Sequence, residues 1–188
     1  MQQEDIDPND VVVIDEFGSN LDMTSRYARA PKGEHAVATV PRNTPPNPTT
    51  ISSLTTSGMG PSLMTVGGVT TEVFEAYVEQ ILGPTLRPGQ VVLIDNLSAH
   101  KSARVRSLLA ARGCRLWYLP SYSPDFSPIE LAIAKIKTEL RWVGARTREA
   151  LEAAVAQALT HILPEEARAF FTHCGFRFRC DPAQWFCP

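Results

Sequence analysis

The sequence predicts an α/β fold in which helices flank a mixed β-sheet. Two continuous β-branched runs, at residues 11–14 (VVVI) and 91–94 (VVLI), are typical of buried central strands. Each run leads directly into an aspartate. Further strand-like segments, and helix-like segments in the second half, surround these two runs, an order typical of a sheet covered by helices.

The first half of the chain is predicted to hold short strands and one helix. We expect residues 15–20 to turn the chain after the first strand. We expect the proline-rich stretch at residues 41–50 to be a connection without regular structure. Thr70 or Thr71 is expected to cap a helix that runs to Leu82. The other predicted strands lie at residues 27–30, 35–40, 49–56 and 63–66.

The second half is predicted to be mainly helical. The segment 129–143 carries isoleucines and leucine at helical spacing, which indicates a helix with one buried face. Thr147 is expected to cap the helix after it, and Pro164 to open a last one through Phe171. The remaining elements are a helix at 101–112, a strand at 115–119 and a loop at 120–127.

Composition narrows the class of protein. The chain has 188 residues, 44% of them hydrophobic, which suits one domain with a core of its own. Its net charge of −2 does not indicate a basic nucleic-acid binder, so any charge that contacts DNA must be local.

No apolar run approaches the length of a membrane span, and the N-terminus is acidic and polar, unlike a signal peptide. The four cysteines include no C-x-x-C pair, which favours reduced thiols over a zinc site. We expect a location in the bacterial cytoplasm.

Two acids at strand ends carry the first functional prediction. Asp15 and Asp95 each follow a predicted buried strand, at a sheet edge where ligands bind in α/β folds. Two carboxylates a few ångströms apart repel each other, and a hard divalent cation with oxygen ligands would compensate them. Either residue alone is equally well explained as opening a turn or capping a helix.

Glu130 is the third predicted acid of the site. It lies 35 positions after Asp95, in the first turn of a predicted helix. Three carboxylates suit a centre with two metal ions about 4 Å apart, the arrangement that phosphodiester cleavage needs. The alternative is a capping box, since Ser127-x-x-Glu130 with Pro128 at the first helical position fits one.

The chain resembles the DDE endonuclease domain of bacterial insertion-sequence transposases of the mariner superfamily. The resemblance covers roughly residues 11–176, and its most specific part is a Leu-Pro-x-Tyr-Ser-Pro-Asp loop followed by Pro-Ile-Glu. The matching blocks are residues 13–16 (VIDE), 27–33 (YARAPKG), 94–101 (IDNLSAHK), 119–125 (LPSYSPD), 127–131 (SPIEL) and 173–175 (HCG).

The resemblance implies an RNase H-like fold and a catalytic site with two Mg²⁺ or Mn²⁺ ions. The family's three catalytic and metal-binding acids map onto Asp15, Asp95 and Glu130. The implied reaction on double-stranded DNA is hydrolysis at transposon ends, followed by strand transfer into target DNA, commonly at TA dinucleotides. Because two ends must be paired, we expect a homodimer in the working complex.

The resemblance also implies helix-turn-helix modules that bind DNA, expected upstream or on a separate chain. We predict a disordered segment at residues 1–10, the catalytic domain at 11–176 and an extension of unknown role at 177–188. Two positions depart from the family pattern. Ser127 stands where asparagine is common, and Ile133 where an aromatic residue is common.

Four residues are predicted to support the site or contact DNA: Asn96, His100, Lys137 and Arg141. Asn96 and His100 follow Asp95, and His100 has the position to orient a carboxylate. Lys137 and Arg141 share a helical stripe with Glu130, where basic side chains can hold a DNA backbone. The alternatives are a turn residue for Asn96, a helix-start residue for His100, and a solvated helix face for Lys137 and Arg141. A second basic patch is possible at Arg26, Arg29, Lys32 and Arg42.

Three functions compete at this stage. An active nuclease and strand transferase is favoured by the three intact acids. A catalytically silent transposase remnant that only binds DNA or a partner chain is the alternative. A metal-dependent phosphatase-like enzyme also uses an aspartate at a strand end, but it gives the Pro-Ile-Glu helix no role.

Overall fold

The computed structural model describes residues 6–42, 46–96, 100–120 and 124–178. Within them lies a five-stranded mixed sheet in the order β3-β2-β1-β4-β5. β1 pairs antiparallel with β2 and parallel with β4, which places it at the centre of the sheet. The strands are β1 (Val11–Gly18), β2 (Pro48–Thr55), β3 (Gly58–Val66), β4 (Val91–Ile94) and β5 (Arg115–Tyr118).

The predicted caps Thr70 and Thr147 are confirmed, whereas α2 begins after Ser102 and not at Lys101 as predicted. The hydroxyl groups of Thr70, Ser102 and Thr147 accept backbone N–H hydrogen bonds at the starts of α1, α2 and α4. The helices are α1 (Thr71–Ala76), which continues as a π-helical segment at Tyr77–Leu82, α2 (Ala103–Ala111), α3 (Pro128–Val143), α4 (Arg148–Thr160) and α5 (Pro164–His173). In the described ranges, no helix is long and apolar enough to cross a membrane.

Two hydrophobic cores lie on the two faces of the sheet. Val11, Val13 and Phe17 of β1 pack with α3, α4 and α5. Val12 and Ile14 pack with α1, the π-helical segment and α2. Successive side chains of a strand point to opposite faces, so a fully apolar run can serve both cores. This is the flanked mixed sheet that the sequence predicts.

β1 is longer than predicted, and the turn expected at residues 15–20 is wrong. The pairing with β4 ends at Ile14 and Ile94, but β1 continues to Gly18 along β2. Its polar second half stays extended because β2 supplies its ladder partners. Asp15 therefore lies within β1, at the first residue after the pairing with β4 ends.

The strands predicted at residues 27–30 and 35–40 are wrong. The described part of that loop contains no strand, and Tyr27 and Val37 are 87% and 88% exposed. The sheet edge beside β2 is instead occupied by β3, which spans nine residues and pairs with β2 along its length. The segment before β2 therefore has no place beside β2.

The prediction of disorder at residues 1–10 is wrong for residues 6–10. Ile6 is 7% exposed and belongs to the core beside α3. Asp7 caps a 3₁₀ turn at Pro8–Asp10 by accepting a hydrogen bond from the Asn9 N–H at 2.9 Å. Residues 1–5 and 179–188 lie outside the described part. Phe178, in the predicted extension, still packs against the core, while the domain boundaries themselves stay predictions.

Candidate functional site

The sheet register places Asp15 and Asp95 side by side. Ile14 and Ile94 form the last parallel pair between β1 and β4, and each aspartate is the next residue. Asp15 lies on the same face as Val13 and Phe17, the face that α3 covers.

Asp15 has an unusual electrostatic environment. Burial raises the pKa of its carboxyl group to about 7, against a lowering by the hydrogen bond from the Glu16 N–H, which is 2.7 Å from Oδ1. The negative charges of Glu130, Asp95 and Glu16 make smaller contributions to the same rise. Asp95 and Glu130 therefore both lie within electrostatic range of Asp15, although the three acids come from different elements.

Glu130 is exposed in the first turn of α3, while Pro128 and Ile129 beside it are buried. The capping box proposed from the sequence does not form, because the Ser127 side chain makes no capping hydrogen bond. The contact between them is between backbone groups, from the Glu130 N–H to the Ser127 carbonyl oxygen at 3.1 Å. The helix start thus does not use the Glu130 carboxylate.

His100 lies between two carboxylates. Its Nε2 is 2.9 Å from Oε1 of Glu16, and its Nδ1 forms a short hydrogen bond with Oδ1 of Asp95. The ring is 1% exposed and stacks on Phe74 with centroids 4.2 Å apart. Burial lowers the pKa of His100, but the hydrogen bonds and charges of Asp95 and Glu16 outweigh it and raise the pKa to about 9. The imidazolium can then donate from both ring nitrogens.

Sequence reasoning missed Glu16 and Phe74 as neighbours of the site. Glu16 is adjacent to Asp15, but its partner His100 is 84 residues away. Only the continuation of β1 through Glu16 shows that this side chain lies on the face opposite Asp15. Tyr118, within the strand predicted at 115–119, lies in β5, and its hydroxyl donates to the His100 carbonyl oxygen at 3.3 Å.

The other predicted residues are divided between two places. Asn96 is exposed directly after Asp95. Lys137 and Arg141 are partly exposed on α3, and only Arg141 lines a groove of about 820 Å³ beside the loop from β1 to β2. The other residues that line this groove are Ser25, Arg26, Tyr27, Ala28, Arg29, Thr138 and Trp142.

We call this the arginine groove, after Arg26, Arg29 and Arg141. It joins part of the second basic patch suggested by the sequence to the helix stripe. Lys32 and Arg42 are exposed in the same loop but do not line the groove. Residues 97–99 and 121–123, which belong to the matching blocks, lie outside the described residues.

The carboxylates meet the chemical requirement for a magnesium or manganese site. Their hard oxygen donors are the kind that these ions prefer, and Asp15 lies among other negative charges at one sheet edge. In the part of the chain that the structure describes, however, no three His, Cys, Asp or Glu side chains form a group already arranged to hold a metal ion.

Known structures share this fold. The paired-end complex of mariner Mos1 with Mg matches with a TM-score of 0.65 and 13% identity, over 90% of this chain and 56% of that one. The Mos1 strand transfer complex matches with a TM-score of 0.62 and 16% identity, over 91% and 56%. The Mos1 catalytic domain with raltegravir and Mn matches with a TM-score of 0.56 and 14% identity, over 92% and 86%.

These likenesses confirm the RNase H-like fold that the sequence predicts. The chain spans a little over half the length of the Mos1 chains in the DNA complexes, and most of the isolated catalytic domain. No curated protein sequence matches it significantly. The DDE superfamily endonuclease family, in contrast, matches residues 10–152, which is more than half of the chain. This protein therefore belongs to the DDE superfamily endonuclease family.

Proposed function

We propose that this chain is the catalytic domain of a DNA transposase, which cleaves phosphodiester bonds at transposon ends and joins them to target DNA. One observation carries the proposal. Asp15 of β1 interacts electrostatically with Asp95, at the end of β4, and with Glu130 of α3. In a DDE endonuclease fold, three acids from separate elements at one edge are the expected catalytic group.

In this proposal, Asp15, Asp95 and Glu130 would hold two Mg²⁺ or Mn²⁺ ions. The Mos1 paired-end complex with Mg and the Mos1 catalytic domain with Mn support the choice of ion. When bound, such a pair of cations activates the attacking oxygen and stabilises the leaving oxygen. The buried positions of β1 and β4 fix the backbone of the two aspartates. Exposure of Glu130 leaves its side chain room to turn toward them.

The proposed substrate is double-stranded DNA. The arginine groove offers three guanidinium groups for phosphate contacts, and no acidic residue is among the described residues that line it. Lys137, one turn before Arg141 on α3, and Asn96, beside Asp95, are proposed as further contacts. Mos1 complexes with transposon ends support this substrate class.

The finer partners are proposed on the family resemblance alone. They are a TA target, a homodimer that pairs two ends, and a helix-turn-helix region outside these 188 residues that recognises the terminal repeats. A bacterial cytoplasmic location also stays a prediction.

The test is metal-dependent nicking of labelled duplex DNA. We expect the purified chain to nick the duplex in Mn²⁺, and Asp95→Asn to lose this activity. Asp10→Asn, which removes an exposed acid before β1, should leave activity unchanged. If the unmodified chain cleaves nothing in Mn²⁺, even with a helix-turn-helix region supplied, the silent DNA-binding remnant becomes the better reading.

A further inference from the structure

The residue pair Glu16 and His100 lies on the side of the sheet away from Glu130. Asp15 and Glu16 are neighbours within β1, so their side chains point to opposite faces. Asp15 faces α3, whereas Glu16 shares the face of Ile14, which packs with α1 and α2. The strand geometry therefore does not favour a direct role for Glu16 alongside the three acids.

His100 connects Glu16 to the site. Its two ring nitrogens contact Glu16 and Asp95, and these contacts lie on opposite edges of one rigid ring. Phe74 packs on the ring, and the ring is almost fully buried. A planar side chain held at both nitrogens and packed against an aromatic ring has little freedom to turn.

We propose that Glu16 is a positioning residue that fixes the Asp95 carboxylate through His100. The inference rests on the proposed function, because it assumes that Asp95 holds a divalent cation. Glu16 accepts from Nε2–H, and this sets the ring so that Nδ1–H points at Asp95. His100 then holds one Asp95 oxygen, and this contact fixes the direction of the carboxylate. Supporting hydrogen bonds of this kind change metal affinity by about 10- to 100-fold.

In this arrangement Glu16 acts on Asp95 only through His100, and a double variant can test this dependence. If Glu16 acts only by holding His100, then removing Glu16 has no further effect once His100 is gone. The losses in Glu16→Ala and His100→Ala should therefore not add in the double variant. A purely structural glutamate would instead lower stability without this dependence on His100.

The first measurement is Mn²⁺ affinity of the full chain by titration calorimetry. We expect Glu16→Ala to bind Mn²⁺ about tenfold more weakly or worse. Glu16→Gln keeps an oxygen acceptor and should retain most of the affinity. Glu79→Ala is the matched control, because Glu79 of the π-helical segment accepts from Arg104 at 2.7 Å and does not contact the site.

The second measurement needs no metal. In the apo protein, NMR of the histidine ring nitrogens should show a slowly exchanging Nε2–H for His100, assigned by its loss in His100→Asn. We expect Glu16→Ala to lose that protection while its circular dichroism stays that of the unmodified chain. Protection that persists in Glu16→Ala would overturn the proposal.

The outcomes distinguish failure of the positioning role of Glu16 from failure of the proposed function. If Asp95→Asn loses Mn²⁺ but Glu16→Ala binds it normally, or if the two alanine losses add, the positioning role is wrong. If Asp95→Asn still binds Mn²⁺ as the unmodified chain does, the proposed function itself loses its metal ligand. The NMR result then still decides whether Glu16 holds His100.

Discussion

The acidic sheet edge, where Asp15 and Asp95 lie, is built on buried strand residues, whereas the arginine groove is built on exposed ones. At the edge, Asp15 and Asp95 follow strand residues that are almost fully buried, and His100 is fixed on two sides. The groove is formed by an exposed loop against the exposed side of α3, where Trp142 is 76% exposed. Chemistry on phosphodiesters needs fixed groups, whereas contact with a DNA backbone tolerates side chains that adjust.

A variant of Glu130 should give the largest effect, because it removes one of the three acids. We expect Glu130→Gln to lower Mn²⁺-dependent nicking by more than about 100-fold, the upper range for residues that merely support a metal site. Stability should change little, since Glu130 is exposed and does not take part in a capping box. Rates are measured on labelled duplex, and unfolding by circular dichroism.

Glu139→Gln is the control on the same helix, because Glu139 pairs with His161 at 2.7 Å, well along α3 from Glu130. Should Glu130→Gln cleave at the rate of this control, Glu130 would have no part in the catalytic group.

The arginine groove should govern affinity rather than the rate of chemistry. Replacing Arg26, Arg29 and Arg141 together with alanine removes three proposed phosphate contacts. The slope of log affinity against log salt should then fall by about three, because each lost contact contributes about 0.9 on duplex DNA. Binding is followed by fluorescence anisotropy at several salt concentrations.

A second triple variant removes the same charge elsewhere. Arg87, Arg115 and Arg148 are exposed, and the first two lie where β4 and β5 begin, away from the acidic edge. An equal loss of salt dependence in both triple variants would show that the net charge of the protein, and not the arginine groove, sets its affinity for DNA.

The same comparison explains what the sequence predicted. The apolar runs that end in Asp15 and Asp95, and the isoleucine spacing of α3, reflect burial that each segment must satisfy by itself. Contacts between distant segments leave no such local trace. Glu16 meets His100 across 84 residues, and the second half of β1 is extended only because β2 pairs with it.

The loop from β1 to β2 shows the opposite error, because there the sequence indicates strands that do not form. Its segments at residues 27–30 and 35–40 have some of the composition of strands, yet β3 already occupies the neighbouring sheet edge. Propensity for a strand depends on a partner and a face to cover, and a single sequence does not state whether either exists. The sequence therefore indicates a patch of arginines in that loop, but it does not predict that two of them lie beside Arg141.

Arg146 should give the smallest effect, and it tests how the loop is held. Its Nη1 donates to the carbonyl oxygens of Leu21 and Met23, both at 2.9 Å, which fastens the start of the loop just beyond α3. Arg146 is exposed, so Arg146→Ala should cost at most about 1 kcal/mol in the free energy of unfolding.

Local order should change more than global stability. Without this anchor, trypsin should cut after Arg26, Arg29 and Lys32 several-fold faster, because cleavage follows local opening of the loop. Arg146→Lys keeps the charge but lacks the forked guanidinium, so its cleavage rate should fall between the two. If Arg146→Ala is cut no faster than the unmodified chain, these two hydrogen bonds do not hold the loop, and its contact with α3 alone sets the shape of the groove.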